Sequence, residues 1–216
     1  MINPDYKYRA EVEKIGGDYI SLSGLDGSGK TTQAKLLQQA LMIRGYSAFI
    51  AHHRISDNEF FERALKYLYN SSSITNINQE YVSSLIAFEY LGFFLESISP
   101  RLGHEIAILD RAAYDLFVSQ TTIFGCDFEI GQQIIKETCM SGLHFFIDVS
   151  PDICYARIQK RADQIKQHET LDALTEKYEG YKKLVEQGIL ISIDGTLSKL
   201  VVHNNIVNQL QLYKMI

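Results

Sequence analysis

Proline, cysteine and long apolar runs are all scarce in this sequence of 216 residues. Three prolines, with no low-complexity tract, repeat or linker, favour one domain over residues 1–216. The three cysteines, Cys126, Cys139 and Cys154, form no CxxC pair, which favours reduced thiols over a disulfide framework. No apolar run approaches the roughly 20 residues that a membrane-spanning helix needs.

The net charge and the N-terminal residues further limit the class of protein and its location. A net charge of −5 argues against a general affinity for nucleic acid or for an anionic membrane. Residues 1–17 are polar and lack the apolar core of a signal peptide, so we expect an N-terminal extension on a cytoplasmic protein. No spacing of histidine and cysteine in the sequence indicates a zinc site.

Short apolar runs alternate with helix-length segments along the chain. The predicted strands are Tyr19–Ser23, Ala48–Ala51, Ile106–Leu109, Phe145–Val149 and Leu190–Ile193. The predicted helices are Lys30–Ile43, Asn58–Tyr69, Gln79–Ile98, Tyr114–Thr122, Ile130–Cys139, Ile153–Arg161, Leu171–Gln187 and Leu197–Tyr213. Apolar strands separated by helices are typical of a parallel sheet covered on both faces, so we predict a three-layer α/β fold.

The residues that follow each strand are the first candidates for a site, because ligands of such sheets bind beyond the carboxyl ends of the strands. These segments are Gly24–Thr32, His52–Arg54, Asp110–Arg111, Ser150–Asp152 and Asp194–Thr196. Because all five segments follow the carboxyl ends of strands in one sheet, we predict that they form one site.

The first of these segments has the spacing of a phosphate-binding loop. Gly24, Gly29, Lys30 and Thr31 fit G-x-x-x-x-G-K-[ST] between a strand and a helix. Glycines let backbone N–H groups wrap a polyphosphate, Lys30 can reach the β- and γ-phosphates of ATP, and the Thr31 hydroxyl can ligate Mg²⁺. We predict that ATP is bound by Gly24, Gly27, Ser28, Gly29, Lys30, Thr31 and Thr32.

Asp26 lies inside this loop, where a bound phosphate would repel its carboxylate unless the carboxylate faced another ligand. One interpretation is that Asp26 contacts a hydroxyl group of an acceptor molecule. The other is that Asp26 forms a turn before Gly27, a common arrangement. Local chemistry leaves both interpretations open.

Five stretches of the chain match one family in order: "GLDGSGKTTQ", "HHR", "ILDR", "FIDVSPDICYARIQKRADQIKQHE" and "YEGYKKLVEQGILISIDGT". Together they resemble thymidylate kinases, enzymes that move the γ-phosphate of ATP onto dTMP, over residues 18–213. The resemblance implies a P-loop kinase fold with a helical lid at about residues 157–170. It also implies ATP and Mg²⁺, a small-molecule nucleotide acceptor and a homodimer.

On the acceptor side, the resemblance implies that Asp26 lies beside the sugar of dTMP, while Arg54 and Arg111 hold its phosphate. The chemistry of transfer agrees, because two phosphate-bearing molecules bring many negative charges together and several cations must converge. Arginine also permits bidentate contacts with a phosphate.

On the donor side, Asp110 ends an apolar strand, where its carboxylate would organise Mg²⁺ with Thr31 or orient an arginine. The alternative is that Asp110 caps a helix or joins an ion pair. The resemblance also places Thr196 in a loop beside the adenine.

The basic residues Arg157, Lys160, Arg161 and Lys166 form a dense cluster. Charge runs are usually solvated helix faces, but closure of a lid over ATP accounts better for this cluster. Because the P-loop has Gly27 after Asp26 instead of an arginine, the resemblance implies that the lid supplies the catalytic arginine, Arg161 by first choice and Arg157 by second.

The segment that should recognise the base departs from the family. Its members carry a Phe and, one turn later, an Arg on the helix before the third strand, whereas "EYVSSLIAFEYLGFFLES" contains no arginine. Among its aromatic residues we select Phe88 as the base platform, although aromatics on a helix are more often core. Ala112 and Ser119 stand where tyrosines are usual, while Gln120 fits some members as a base contact.

Three hypotheses follow. The leading one is a Mg²⁺-dependent nucleoside monophosphate kinase with dTMP as the default acceptor, or with a different or modified nucleotide or a phosphorylated metabolite. The second is a kinase for an unphosphorylated nucleoside or metabolite, with Asp26 or Asp110 as general base. The third is a nucleotide-binding module without transfer activity.

Overall fold

The computed structural model describes residues 19–53, 79–124, 142–161 and 169–216. Its five strands form one sheet in the order β2-β3-β1-β4-β5, and every pairing in that sheet is parallel. The strands are β1 (Tyr19–Ser23), β2 (Ala48–Ala51), β3 (Ile106–Asp110), β4 (Gly142–Asp148) and β5 (Ile191–Asp194). The parallel sheet predicted from the sequence is confirmed.

Six α-helices of the described ranges flank this sheet, which confirms the three-layer α/β fold. They are α1 (Lys30–Ile43), α2 (Gln79–Phe93), α3 (Ala113–Phe124), α4 (Pro151–Gln159), α5 (Leu171–Glu186) and α6 (Lys199–Leu212). The predicted helices Asn58–Tyr69 and Ile130–Cys139 lie outside the described residues. Among the six, none combines the length and the apolar character that a membrane span requires.

The sequence predicts one helix from Gln79 to Ile98, but the regular helix ends at Phe93. A π-helical turn (Phe94–Ile98) and a 3₁₀ turn (Ser99–Arg101) follow it. The apolar pattern continues through this stretch, and only the hydrogen-bonding pattern changes, so the sequence pattern did not reveal the break. Pro100 cannot donate a backbone hydrogen bond, which fits the end of the helical segment just beyond it.

Strand β4 begins three residues before its predicted start at Phe145. The extra residues include a histidine, which the apolar pattern does not favour in a buried strand. His144 is nevertheless buried, because its Nδ1 lies 2.7 Å from the Ser21 Oγ on β1 and its ring packs against Tyr19 and Tyr114. A hydrogen bond between neighbouring strands thus satisfies a polar side chain inside the sheet.

The sheet order brings the ends of three strands together. β1 lies at the centre, with Leu22 opposite Asp110 of β3 and Ser23 opposite Phe146 of β4. The segment after β1 therefore lies between the segments after β3 and β4. All five residues of both β1 and β3 are buried, so this arrangement rests on a continuous apolar core.

We predict that Gly142→Ala destabilises the protein by about 1–3 kcal/mol, because overpacking forces the core to shift. A Cβ at Gly142 would lie 2.1 Å from Cδ1 of Tyr19 and 2.7 Å from its carbonyl oxygen. The control is Gly92→Ala on α2, where a Cβ meets no heavy atom of the described residues within 4 Å apart from the adjacent backbone of its own helix. That variant should gain up to about 1 kcal/mol from helix propensity. Equal free energies of unfolding of the two variants, measured by denaturant titration, would contradict the close contact between Gly142 and Tyr19.

Candidate active site

The P-loop (Gly24–Thr31) joins β1 to α1, and two of its glycines are required by its surroundings. Gly27 has φ 83°, and a Cβ there would lie 2.8 Å from the carbonyl oxygen of Cys154 on α4. Gly24 has φ 144°, and its Cβ would lie 3.0 Å from the carbonyl oxygen of Ile147 on β4. The loop is therefore packed tightly against β4 and α4, which leaves no space for side chains at these positions.

Lys30 is the first residue of α1, and its ammonium group lies within the loop. Its Nζ donates hydrogen bonds to the carbonyl oxygens of Gly24 (2.8 Å) and Leu25 (2.7 Å). Burial, together with the charge of Arg111, lowers the pKa of Lys30 to about 8. A buried cation beside the unpaired N–H groups of a helix N-terminus is suited to bind an anion.

Thr31 and Asp110 join the P-loop to the end of β3. The Thr31 hydroxyl donates to Oδ2 of Asp110 at 2.5 Å, and Nδ1 of His52 lies 3.2 Å from the same oxygen. Burial alone would raise the pKa of Asp110, but the hydrogen bonds from His52 and Thr31 outweigh it and lower that pKa. Asp110 is thus an ionised carboxylate at neutral pH.

This pair fits a magnesium ion that is shared with a nucleotide. Oδ1 of Asp110 is buried and has no hydrogen-bond partner among the described residues. No group of three His, Cys, Asp or Glu side chains in the described ranges would hold a metal by itself. Mg²⁺ is usually held by one or two carboxylates together with substrate phosphates and water, and Asp110 with Thr31 matches that donor set.

Arg111 and Asp26 form a second contact between the two loops. The Arg111 guanidinium makes an ion pair with the Asp26 carboxylate. Burial opposes the charge of Arg111, but the carboxylates of Asp26 and Asp115 outweigh it and raise the pKa of Arg111. Asp26 also lies in a turn that the Ser28 N–H closes on the Leu25 carbonyl oxygen, which agrees with the turn interpretation, while its contact with an acceptor hydroxyl stays a prediction.

The two candidate lid arginines have different partners. Arg157, on the last turn of α4, donates from Nη1 to the carbonyl oxygen of Gly27 at 3.1 Å. Arg161 donates from Nη2 to Oε1 of Glu169 at 2.6 Å, and that glutamate is buried. Residues 162–168, which include Lys166, lie outside the described residues. Arg157 thus contacts the P-loop, whereas Arg161 binds Glu169, two residues before the start of α5.

The remaining donor-side residues surround the same edge of the sheet. Ser28 is buried in the P-loop, whereas Thr32 is exposed on α1. Thr196 follows β5, where its N–H and hydroxyl donate to Oδ1 of Asp194 at 2.9 and 2.6 Å. Their roles in binding ATP stay predictions.

The residues predicted to bind the acceptor are not seen to meet at one place in the described part of the chain. Arg54 lies outside the described residues, Gln120 is buried in α3, and Phe88 exposes 59% of its surface. The rings that meet the end of β2 are Tyr90 and Phe93, with centroids 5.2 and 5.1 Å from the His53 ring. The role of Phe88 as a platform for the base stays a prediction. Its side chain is exposed, unlike the rings of Tyr90 and Phe93 that pack against His53.

Sequence reasoning missed Asp115, which lies on the first turn of α3 and is buried. Its carboxylate accepts hydrogen bonds from Ser23, Gly24, Ala112 and Tyr181. One signal was present, because an acidic side chain at the third position of a helix often binds the N–H group of the capping residue. That signal predicts the hydrogen bond from Ala112 but not the hydrogen bonds from Ser23, Gly24 and Tyr181.

Comparisons with known proteins agree with these observations. A thymidylate kinase family model matches residues 22–206. The thymidylate kinase of Thermoanaerobacter sp. (strain X514) is 27% identical over 91% of this chain and 98% of its own length. The probable thymidylate kinase of Methanosphaera stadtmanae is 30% identical over 90% of this chain and 98% of its own. The thymidylate kinase of Plasmodium falciparum is 27% identical over 94% of both.

The family model and these relatives extend over the P-loop, the end of β3 and helices α4 and α5, where the candidate site residues lie. The resemblance seen in the motifs is thereby confirmed over most of the sequence. This chain belongs to the thymidylate kinase family.

Proposed function

We propose that this chain transfers the γ-phosphoryl group of ATP to a nucleoside monophosphate, with dTMP as the acceptor. The observation that carries the proposal is the double contact between the loops after β1 and β3: Thr31 with Asp110, and Asp26 with Arg111. The first contact lies where the donor phosphates would bind and the second beside it. Membership of the thymidylate kinase family supports the same reaction.

Lys30 would bind the donor phosphates. Its ammonium group is held by two carbonyl oxygens of the loop, and phosphate oxygens would replace them as hydrogen-bond acceptors. Because the cation and the helix N-terminus are already in position, little reorganisation is needed when charge develops on the transferring group.

Mg²⁺ would be held by Thr31 and Asp110 together with the phosphates. When bound, the ion neutralises part of the charge on the phosphate oxygens and helps to position them. Asp110 contributes an ionised carboxylate at the end of a rigid, buried strand.

Arg111 would hold the acceptor phosphate, and Asp26 would orient the Arg111 guanidinium and approach the acceptor sugar. The Arg111 side chain is 27% exposed and the Asp26 side chain 17%, so a ligand can reach both groups. Arg161 and Arg157 remain the proposed lid arginines, and Arg157 already contacts the P-loop.

A second class of acceptor, a modified or different pyrimidine nucleotide, is favoured by one observation. The inner side of α2 meets the end of β2 through a hydrogen bond between the His53 and Glu89 side chains, beside Tyr90 and Phe93. This acid–histidine pair offers a base different hydrogen-bonding groups from those of the Phe and Arg usual in the family.

Three further proposals concern organisation and location. We propose a single domain over residues 1–216, with a lid at about 157–170 and an extension at 1–17, and a homodimer. The exposed apolar side chain of Leu95, beside the apolar segment Leu85–Phe94, supports a protein contact there. The free thiol of Cys154 supports a reducing compartment such as the cytoplasm.

The first prediction concerns the acceptor. With ATP and Mg²⁺, dTMP should give dTDP and ADP faster than any other nucleoside monophosphate, and thymidine should give no product because it has no phosphate for Arg111. Coupled detection of ADP, with chromatography of the products, measures both. Transfer to thymidine, or no transfer to any monophosphate, would exclude the proposed function.

Arg111→Ala should raise the KM for dTMP by about 100-fold, because hydrogen bonds to charged groups are each worth about 1.5–3 kcal/mol. Arg44→Ala is the matched control, since Arg44 is exposed at the end of α1, away from the site. Steady-state kinetics at saturating ATP gives both values. An unchanged KM in Arg111→Ala would show that the acceptor phosphate binds elsewhere.

Asp110→Asn should raise the Mg²⁺ concentration for half-maximal activity by about tenfold, because it removes the only charge of the proposed donor pair. Asp152→Asn, an exposed carboxylate on the first turn of α4, should leave that concentration unchanged. Magnesium titrations at fixed ATP compare the two variants. Equal Mg²⁺ concentrations for half-maximal activity in the two variants would show that the ion does not bind at Asp110.

A further inference from the structure

We propose that Asp115 is a positioning residue whose buried carboxylate links Arg111 to helix α5 and so fixes the arginine for the acceptor. The inference rests on the proposed function, because it concerns the arginine that is proposed to hold the acceptor phosphate. It assigns a role to a residue that would contact no substrate itself.

The Asp115 carboxylate is fully used by the protein. Its Oδ2 accepts from the Ser23 hydroxyl at 2.7 Å and from the Ala112 N–H at 2.9 Å. Its Oδ1 accepts from the Tyr181 hydroxyl at 2.8 Å and from the Gly24 N–H at 3.3 Å. Four bonds match the roughly four acceptor positions of a carboxylate, which offsets the cost of burying it.

Asp115 is next to both the backbone turn and the guanidinium of Arg111. Its backbone has φ 84°, a region that non-glycine residues rarely occupy and that costs about 1–3 kcal/mol. The Arg111 N–H is bound to the Leu22 carbonyl at 3.2 Å, and the N–H of Ala112 is bound to Asp115. The Arg111 Nη1 lies 3.9 Å from Oδ1 of Asp115, so the carboxylate restrains the turn and attracts the guanidinium.

Tyr181 extends the link to α5. Burial, reinforced by the charge of Asp115, raises the pKa of Tyr181, so its hydroxyl stays protonated and can donate. Its ring stacks on Phe146 of β4 with centroids 5.1 Å apart. Helix α5 begins at Leu171, two residues after the glutamate that binds Arg161. Asp115 therefore connects the acceptor arginine to the helix that follows the proposed lid.

Asp115→Asn tests this role, because it keeps the shape but replaces one acceptor oxygen by an NH₂ group and removes the charge. We expect kcat/KM for the acceptor to fall by about 100-fold, since small misplacements of positioned groups have effects of that size. The Kd of ATP, measured by calorimetry, should change by less than about threefold, because Lys30 keeps its contacts. Tyr181→Phe, which keeps the stacked ring, should shift the acceptor KM in the same direction but less. Asp172→Asn, exposed on the first turn of α5, is the control.

A second readout does not depend on the acceptor. The Arg111 Nε–H resonance, assigned by comparison with Arg111→Lys, should exchange with water faster in Asp115→Asn than in the unmodified protein. An unchanged acceptor KM with a lowered melting temperature alone would reduce Asp115 to a structural residue, and an equal loss of ATP affinity would place its action on the P-loop. If Asp115→Asn does not fold, an unchanged acceptor KM and Arg111 exchange rate in Tyr181→Phe would overturn the proposal. If the unmodified protein transfers to no monophosphate, the proposed function fails, and the Arg111 exchange rates still decide this inference.

Discussion

Charge concentrated at the carboxyl ends of β1 and β3 is the constraint on which the site depends. Lys30, Asp110 and Asp115 are buried there, and Arg111 pairs with Asp26 at their edge. An isolated charge in such a place would cost several kcal/mol, so each group persists only because opposite charges and hydrogen bonds surround it. The arrangement leaves cations fixed in a site shielded from water, where their attraction for a phosphate is stronger than in water.

The sheet order makes this concentration possible. Since β1 lies between β3 and β4, the P-loop meets Asp110 and Arg111 on one side and the backbone of Ile147 on the other. Helix α4 then packs against Gly27, and α5 reaches back to β4 through Tyr181. The loop is therefore held by main-chain contacts from its neighbours, and its lysine does not need to be ordered when a nucleotide binds.

How far the sequence predicts this site depends on whether an interaction is local. The spacing of Gly24, Gly29 and Lys30 lies within one short segment, so the P-loop and the bounds of β1 and α1 were predicted correctly. The role of Asp115 was missed because Gly24 and Tyr181, which donate to it, lie 91 and 66 residues away. The apolar pattern likewise did not predict His144 inside β4, since a hydrogen bond from another strand satisfies it.

The residues proposed to bind phosphate and the residues proposed to contact the base lie in different parts of the structure. The groups proposed to handle phosphate are held by contacts of the P-loop with β3 and of α3 with α5, whereas the candidate base-contacting groups lie on α2 and at the end of β2. A substitution on α2 can therefore change a buried hydrogen bond to the base, at about 1–3 kcal/mol, without moving Lys30 or Arg111. The His53–Glu89 contact beside Tyr90 and Phe93 is the proposed place for a change of this kind. With these proposed roles, the base preference can change while the phosphate-binding groups are kept.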